Sequence, residues 1–140
     1  KLLAIAYVHP STSNYIGLGF HTSTLPTDEL QNAYEATFDG ATASTIIFKN
    51  VSGSWSNLAS DATIYQDDAV TSAIWGIALY VDADNDIQKS FVKSGTAEWI
   101  QVVSAADDSS ASGLTSFQSV YLRHGGLNCR LITPIMVWGS

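Results

Sequence analysis

The chain has 140 residues, 46% hydrophobic and 14% charged, enough for one domain with a substantial core and too few for two comfortable ones. Thirteen acidic residues against six basic ones give a formal net charge of -7, a field that repels polyphosphate and anionic lipid and argues against a nucleic-acid partner. No apolar run approaches the roughly 18 residues of a membrane-crossing helix, so no transmembrane segment is expected.

The start at Lys1-Leu2-Leu3 without methionine fits a secreted protein that has lost a signal peptide. Leu2 to Val8 reads as a buried strand, His9 to Asn14 as a turn, and Tyr15 to Phe20 as a return strand closing a hairpin. Gly17 and Gly19 lack the third glycine and the following helix of a phosphate-binding loop, so they read as structural glycines at a bulge or a close packing point. Asp28 is a good N-cap with Gln31 three places on, Leu30, Ala33, Tyr34 and Phe38 share one side at helical spacing, and Gly40 supplies a stop; the pattern predicts a short helix over 28–38.

Thr45 to Val51 is the next predicted strand, and Ser52-Gly53-Ser54 turns it toward Trp55. Asn50-Val51-Ser52 is an N-glycosylation sequon, which makes Asn50 the candidate acceptor of a glycoprotein. Ala62 to Gln66 reads as a short strand. Ile74 to Val81 is an apolar, β-branched and aromatic run, followed by the acidic turn Asp82 to Asp86. Ile87 to Lys93 alternates, Ser94-Gly95-Thr96 marks a second turn, and Glu98 to Val103 begins a third antiparallel strand.

The order strand IALYV, turn DADND, strand IQKSF and step SGTAEW resembles one blade of the fungal fucose-binding lectins, six-bladed β-propellers, over about thirty residues, 72–101. The resemblance implies a propeller-like architecture in which Leu30 to Phe38 would be a strand. In that family each sugar pocket takes an arginine from the first strand, a glutamate from the second, and aromatic walls. The corresponding positions here are Ala78 and Lys89, so only the aromatic Trp99 carries over.

Ser104 to Gly113 is a loop of small residues. Phe117 to Arg123 and Cys129 to Trp138 close the chain as two strands around His124-Gly125-Gly126, with Pro134 placing the last at an edge or a bulge. The fold class is therefore mainly β, a single domain 1–140 of antiparallel sheets arranged as a sandwich or as propeller-like blades, with one short helix. Propeller blades of roughly forty to fifty residues would number about three and require self-association, whereas a sandwich needs no partner.

For catalysis the chain offers no nucleophile elbow, and Cys129, being alone, reads as a buried thiol. His9, His21 and His124 are scattered. Asp82, Asp84 and Asp86 copy the first ligands of a calcium loop, but Ile87 replaces its glycine and Lys93 its last acid, so an EF-hand is excluded and no metal or cofactor is assigned. Glu35, Asp67, Asp68 and Glu98 are the acids a glycoside hydrolase could use. Four tryptophans and six tyrosines point instead to stacking on sugar faces, with Trp75 buried inside its apolar run and Trp55 and Trp99 beside exposed turns. The expected function is a secreted, non-catalytic, lectin-like protein binding glycans or glycoproteins through Trp55, Trp99, Glu98, Arg123 and His124. Weak single sites would suit a homo-oligomer. A hydrolase, and a defence or structural protein contacting another protein or a membrane, are the alternatives.

Overall fold

The computed structural model describes residues 1–9, 15–22, 32–39, 44–61, 74–82, 87–94, 98–106, 117–125 and 130–140. These form strands β1 (Leu2–His9), β2 (Tyr15–His21), β3 (Ala33–Asp39), β4 (Ser44–Val51), β5 (Ser54–Asp61), β6 (Trp75–Asp82), β7 (Ile87–Ser94), β8 (Ile100–Ala106), β9 (Ser119–His124), β10 (Arg130–Leu131) and β11 (Met136–Gly139). They make two antiparallel sheets: a six-stranded one in the order β10-β1-β6-β7-β8, with β11 also on β1, and a five-stranded one in the order β5-β4-β3-β2-β9. The fold is all-β among the described residues, and no helix there is long and apolar enough to cross a membrane.

Period-two alternation explains the packing. Ala4, Ala6 and Val8 of β1 and Trp75, Ile77, Leu79 and Val81 of β6 turn inward from one sheet, against Ile16, Leu18 and Phe20 of β2 and Tyr34, Ala36 and Phe38 of β3 from the other. Phe38 stacks on Trp75 across the two sheets with centroids 5.3 Å apart, and Trp75 is 3% exposed, as its apolar context predicts.

Of the helix predicted over 28–38, residues 28–31 lie outside the described residues and the rest is corrected by β3. Tyr34, Ala36 and Phe38 alternate with Glu35 and Thr37, so a strand puts the aromatics in the core and the polar pair on the outer face. Ala33, Tyr34 and Phe38 share a helical side equally well, and tertiary pairing with β2 and β4 decides between the two periods. The hairpin expected from Leu2 to Phe20 is also corrected: β1 pairs with β6, β10 and β11, whereas β2 lies between β3 and β9. Both segments are apolar on their inner faces, and facing one another across the core buries both.

Pro134 falls in the break between β10 and β11, both at the edge of β1. Along this edge the apolar side chains of Leu131, Ile132, Met136, Val137 and Trp138 are exposed. The strand expected over 62–66, Cys129, and Asp84 and Asp86 of the acidic turn lie outside the described residues.

Candidate functional site on the outer face of the five-stranded sheet

The site begins with a turn. β4 and β5 are joined through Ser52 and Gly53, both at positive φ (51° and 87°), the two-residue geometry whose twist matches that of the flanking strands. The Gly53 N–H donates to Asn50 Oδ1 at 2.9 Å and the Ser52 N–H to Asn32 Oδ1 at 3.2 Å, so the turn is tied to β4 and to the residue that precedes β3. Trp55 follows directly, opposite Asn50, and packs edge-on against Phe48 with centroids 5.9 Å apart.

Two rows of the same face cross β3, β2 and β9. Glu35 stands opposite Gly19, which stands opposite Tyr121; Thr37 stands opposite Gly17, which stands opposite Arg123. In both rows the middle strand contributes glycine. A Cβ at Gly17 would overlap the Glu35 carboxylate, and one at Gly19 would overlap the Tyr121 ring. The missing side chains let Tyr121 and Arg123 lie across β2 and reach Glu35 on β3.

Glu35 has no exposed surface, and each of its oxygens accepts two hydrogen bonds. Oε1 takes the Thr37 hydroxyl at 2.5 Å and Arg123 Nη2 at 2.6 Å; Oε2 takes Arg123 Nε at 2.9 Å and the Tyr121 hydroxyl at 2.9 Å. This side-on, charge-assisted pairing fills the acceptor capacity of the carboxylate. Arg123 Nη1 donates to Tyr15 Oη at 2.9 Å, and its Cζ lies 4.6 Å from the ring centroids of both Tyr15 and Trp55. The guanidinium is thus fixed at its edge by Glu35 and flanked by two aromatic rings.

Desolvation works against the Arg123 charge, but its hydrogen bonds to Glu35 and the negative charge of that carboxylate outweigh this and hold the guanidinium above its ordinary value. Burial, then the charge and hydrogen bond of Glu35, push the Tyr121 phenol far above the tyrosine range, so it remains a donor. A folded-state pKa above the unfolded value contributes stability that is complete below about pH 10 and is lost as pH rises further, with a limiting slope of about 1.4 kcal/mol per pH unit. Urea denaturation at pH 9 to 11 should therefore show wild type losing stability more steeply than Tyr121→Phe; parallel curves would mean that Tyr121 titrates freely.

Of the residues expected from sequence, Trp55 and Arg123 come together here. His124 follows Arg123 on β9, pairs with Ile16, points to the opposite side of the strand and is exposed. Trp99 packs edge-on against Tyr7 of the six-stranded sheet, with centroids 6.1 Å apart, and Glu98 beside it is exposed; neither belongs to the Arg123 cluster. Asn50 has no exposed surface and its Nδ2 is enclosed, so attaching a glycan requires the β4–β5 turn to open. Among the hydrolase candidates Glu35 is locked in the ion pair, and Asp67 and Asp68 lie outside the described residues. Among the described residues no three His, Cys, Asp or Glu side chains gather as a metal site.

Gly17 and Gly19 are close-packing glycines, as the sequence suggests, but sequence reading did not place Tyr15 and Tyr121 at the site. The signal lay in matching spacing: Tyr15, Gly17 and Gly19 on one strand, and Tyr121 and Arg123 on the other, fall two residues apart and so share a face. Fold and site define an antiparallel β-sandwich with a rigid aromatic, arginine and glutamate cluster on one outer face. No family model, curated protein or solved structure matches the chain.

Proposed function

We propose that the chain is a non-catalytic carbohydrate-binding protein whose sugar site is the patch formed by Trp55, Arg123 and Tyr15. The observation that supports this reading is the mounting of Trp55: the residue is 37% exposed while its ring meets Phe48 edge-on and has the Arg123 Cζ 4.6 Å from its centroid. A pyranose needs an aromatic plane for its C–H face and fixed N–H groups for its hydroxyls. Arg123 spends three of its N–H bonds on Glu35 and Tyr15, leaving two of the five that a guanidinium carries. Because the rings and the guanidinium are already ordered, little conformational entropy is lost on binding.

A hydrolase needs a second carboxylate roughly 5–10 Å from the first. Asp39, the next acid on the outer face of β3, lies four residues along, roughly 13 Å from Glu35 at strand spacing. The enclosed Glu35 is also poorly placed to exchange protons with a substrate.

A glycan array followed by calorimetry on the best binder tests the proposal. Trp55→Ala should lose at least about 30-fold in affinity, the effect of a hot-spot aromatic, while circular dichroism is unchanged and no reducing ends are released by wild type. A blank array with folded protein, or undiminished binding by Trp55→Ala, would reject it.

A further inference from the structure

We infer that this site selects neutral glycans over carboxylated, sulfated or phosphorylated ones, and that Glu35 is the residue that sets the selectivity; the inference rests on the carbohydrate reading above. A partly exposed arginine beside two aromatic rings would ordinarily suggest an anion site, because the guanidinium fork matches carboxylate and phosphate geometry. Here its side-on fork is taken. Its Nε and Nη2 edge is bonded side-on to Glu35 at 2.9 and 2.6 Å, and Nη1 is committed to Tyr15.

Glu35 cannot be displaced cheaply. It is fully buried and also holds the Thr37 and Tyr121 hydroxyls, so an incoming anion would have to break the internal pair and leave a buried carboxylate uncompensated. An anion that left the pair intact would meet no net positive charge, with Glu35 as a like charge close by. Lys49, on the adjoining strand, gives no help: it is 5% exposed and lies 6.0 Å from the ring of Tyr34, a core residue. The net charge of -7 adds long-range repulsion. The N–H bonds that Arg123 retains are directional donors without net attraction for charge, which suits hydroxyl and ring oxygens.

The test compares matched pairs on the array: neutral oligosaccharides and the same cores carrying sialic acid, a uronate or sulfate. Wild type should bind the neutral member at least tenfold more tightly, with affinity nearly independent of salt between 20 and about 300 mM. Glu35→Gln keeps the shape but frees the guanidinium charge, and should move the preference at least tenfold toward the acidic member. Equal or tighter wild-type binding of acidic members, lost in Trp55→Ala, would overturn the neutral preference and leave carbohydrate binding standing. A folded Glu35→Gln with unchanged preference would overturn the role of Glu35. Absence of binding to every glycan would remove both readings, and the wild-type comparison decides the preference even where Glu35→Gln fails to fold.

Discussion

Arg123→Met should lower the unfolding free energy by about 3–5 kcal/mol at pH 7, the cost of leaving one member of a buried ion pair uncompensated. The two partners are unequal: the Arg123 side chain is 30% exposed and that of Glu35 is 0% exposed. Water can therefore relieve the arginine when its partner is lost, but reaches the glutamate poorly, and most of the penalty falls on Glu35. Thr37 and Tyr121 would still donate to the carboxylate and keep the loss toward the lower end. The second variant, Arg123→Met with Glu35→Gln, removes the buried charge and should recover about 2 kcal/mol of the loss, a coupling of the size expected for residues in direct contact. Urea denaturation at pH 7 reads both. A loss under about 1 kcal/mol, additive with Glu35→Gln, would show that the pair lies in water and that the site is not pre-ordered.

Much of the fold is legible from the alternation of single strands. The run from Ile74 onward yields β6, β7 and β8 in their correct order, and Ser52-Gly53 marks the turn that delivers Trp55, because turn chemistry and period two are local properties. The Ala33 to Asp39 segment is not legible: its residues satisfy two periods, and the choice is made by β2 and β4 on either side. The strand β1 is found correctly but not its partners, since pairing in a sandwich depends on segments as distant as β11. At the site, Trp55 and Arg123 are found because exposed aromatics and strand-end arginines are chemically conspicuous. Their convergence is hidden, since β5 and β9 stand at opposite ends of the five-strand order and meet only through side chains that reach over the sheet. Glu35 stands out as an acid but not as a buried one, because the residues that neutralise it lie some 86 and 88 positions away.

Gly17→Ala should be destabilising by about 2–4 kcal/mol, from overpacking and from hydrogen bonds pulled out of line, although the same change in an ordinary strand would gain about 0.5–1 kcal/mol from reduced backbone entropy. The sign turns on whether Glu35 can give way. A Cβ at Gly17 would coincide with the carboxylate and approach Glu35 Cγ at 3.0 Å. A free glutamate would swing aside, but this one is held by Arg123, Thr37 and Tyr121 and has no solvent to move into. Gly53→Ala provides the contrast: nothing lies within 4 Å of its Cβ, so its cost comes from the positive φ of 87° alone, about 1–2 kcal/mol, with the Arg123 cluster untouched. The mechanism predicts a particular non-additivity. Gly17→Ala acts by pushing Glu35 off Arg123, so in an Arg123→Met background, where the carboxylate is no longer clamped, it should cost less than half as much, whereas Gly53→Ala should cost the same in both backgrounds. Equal penalties for Gly17→Ala in the two backgrounds would mean that the glycine serves the backbone of β2 and not the passage of side chains across it.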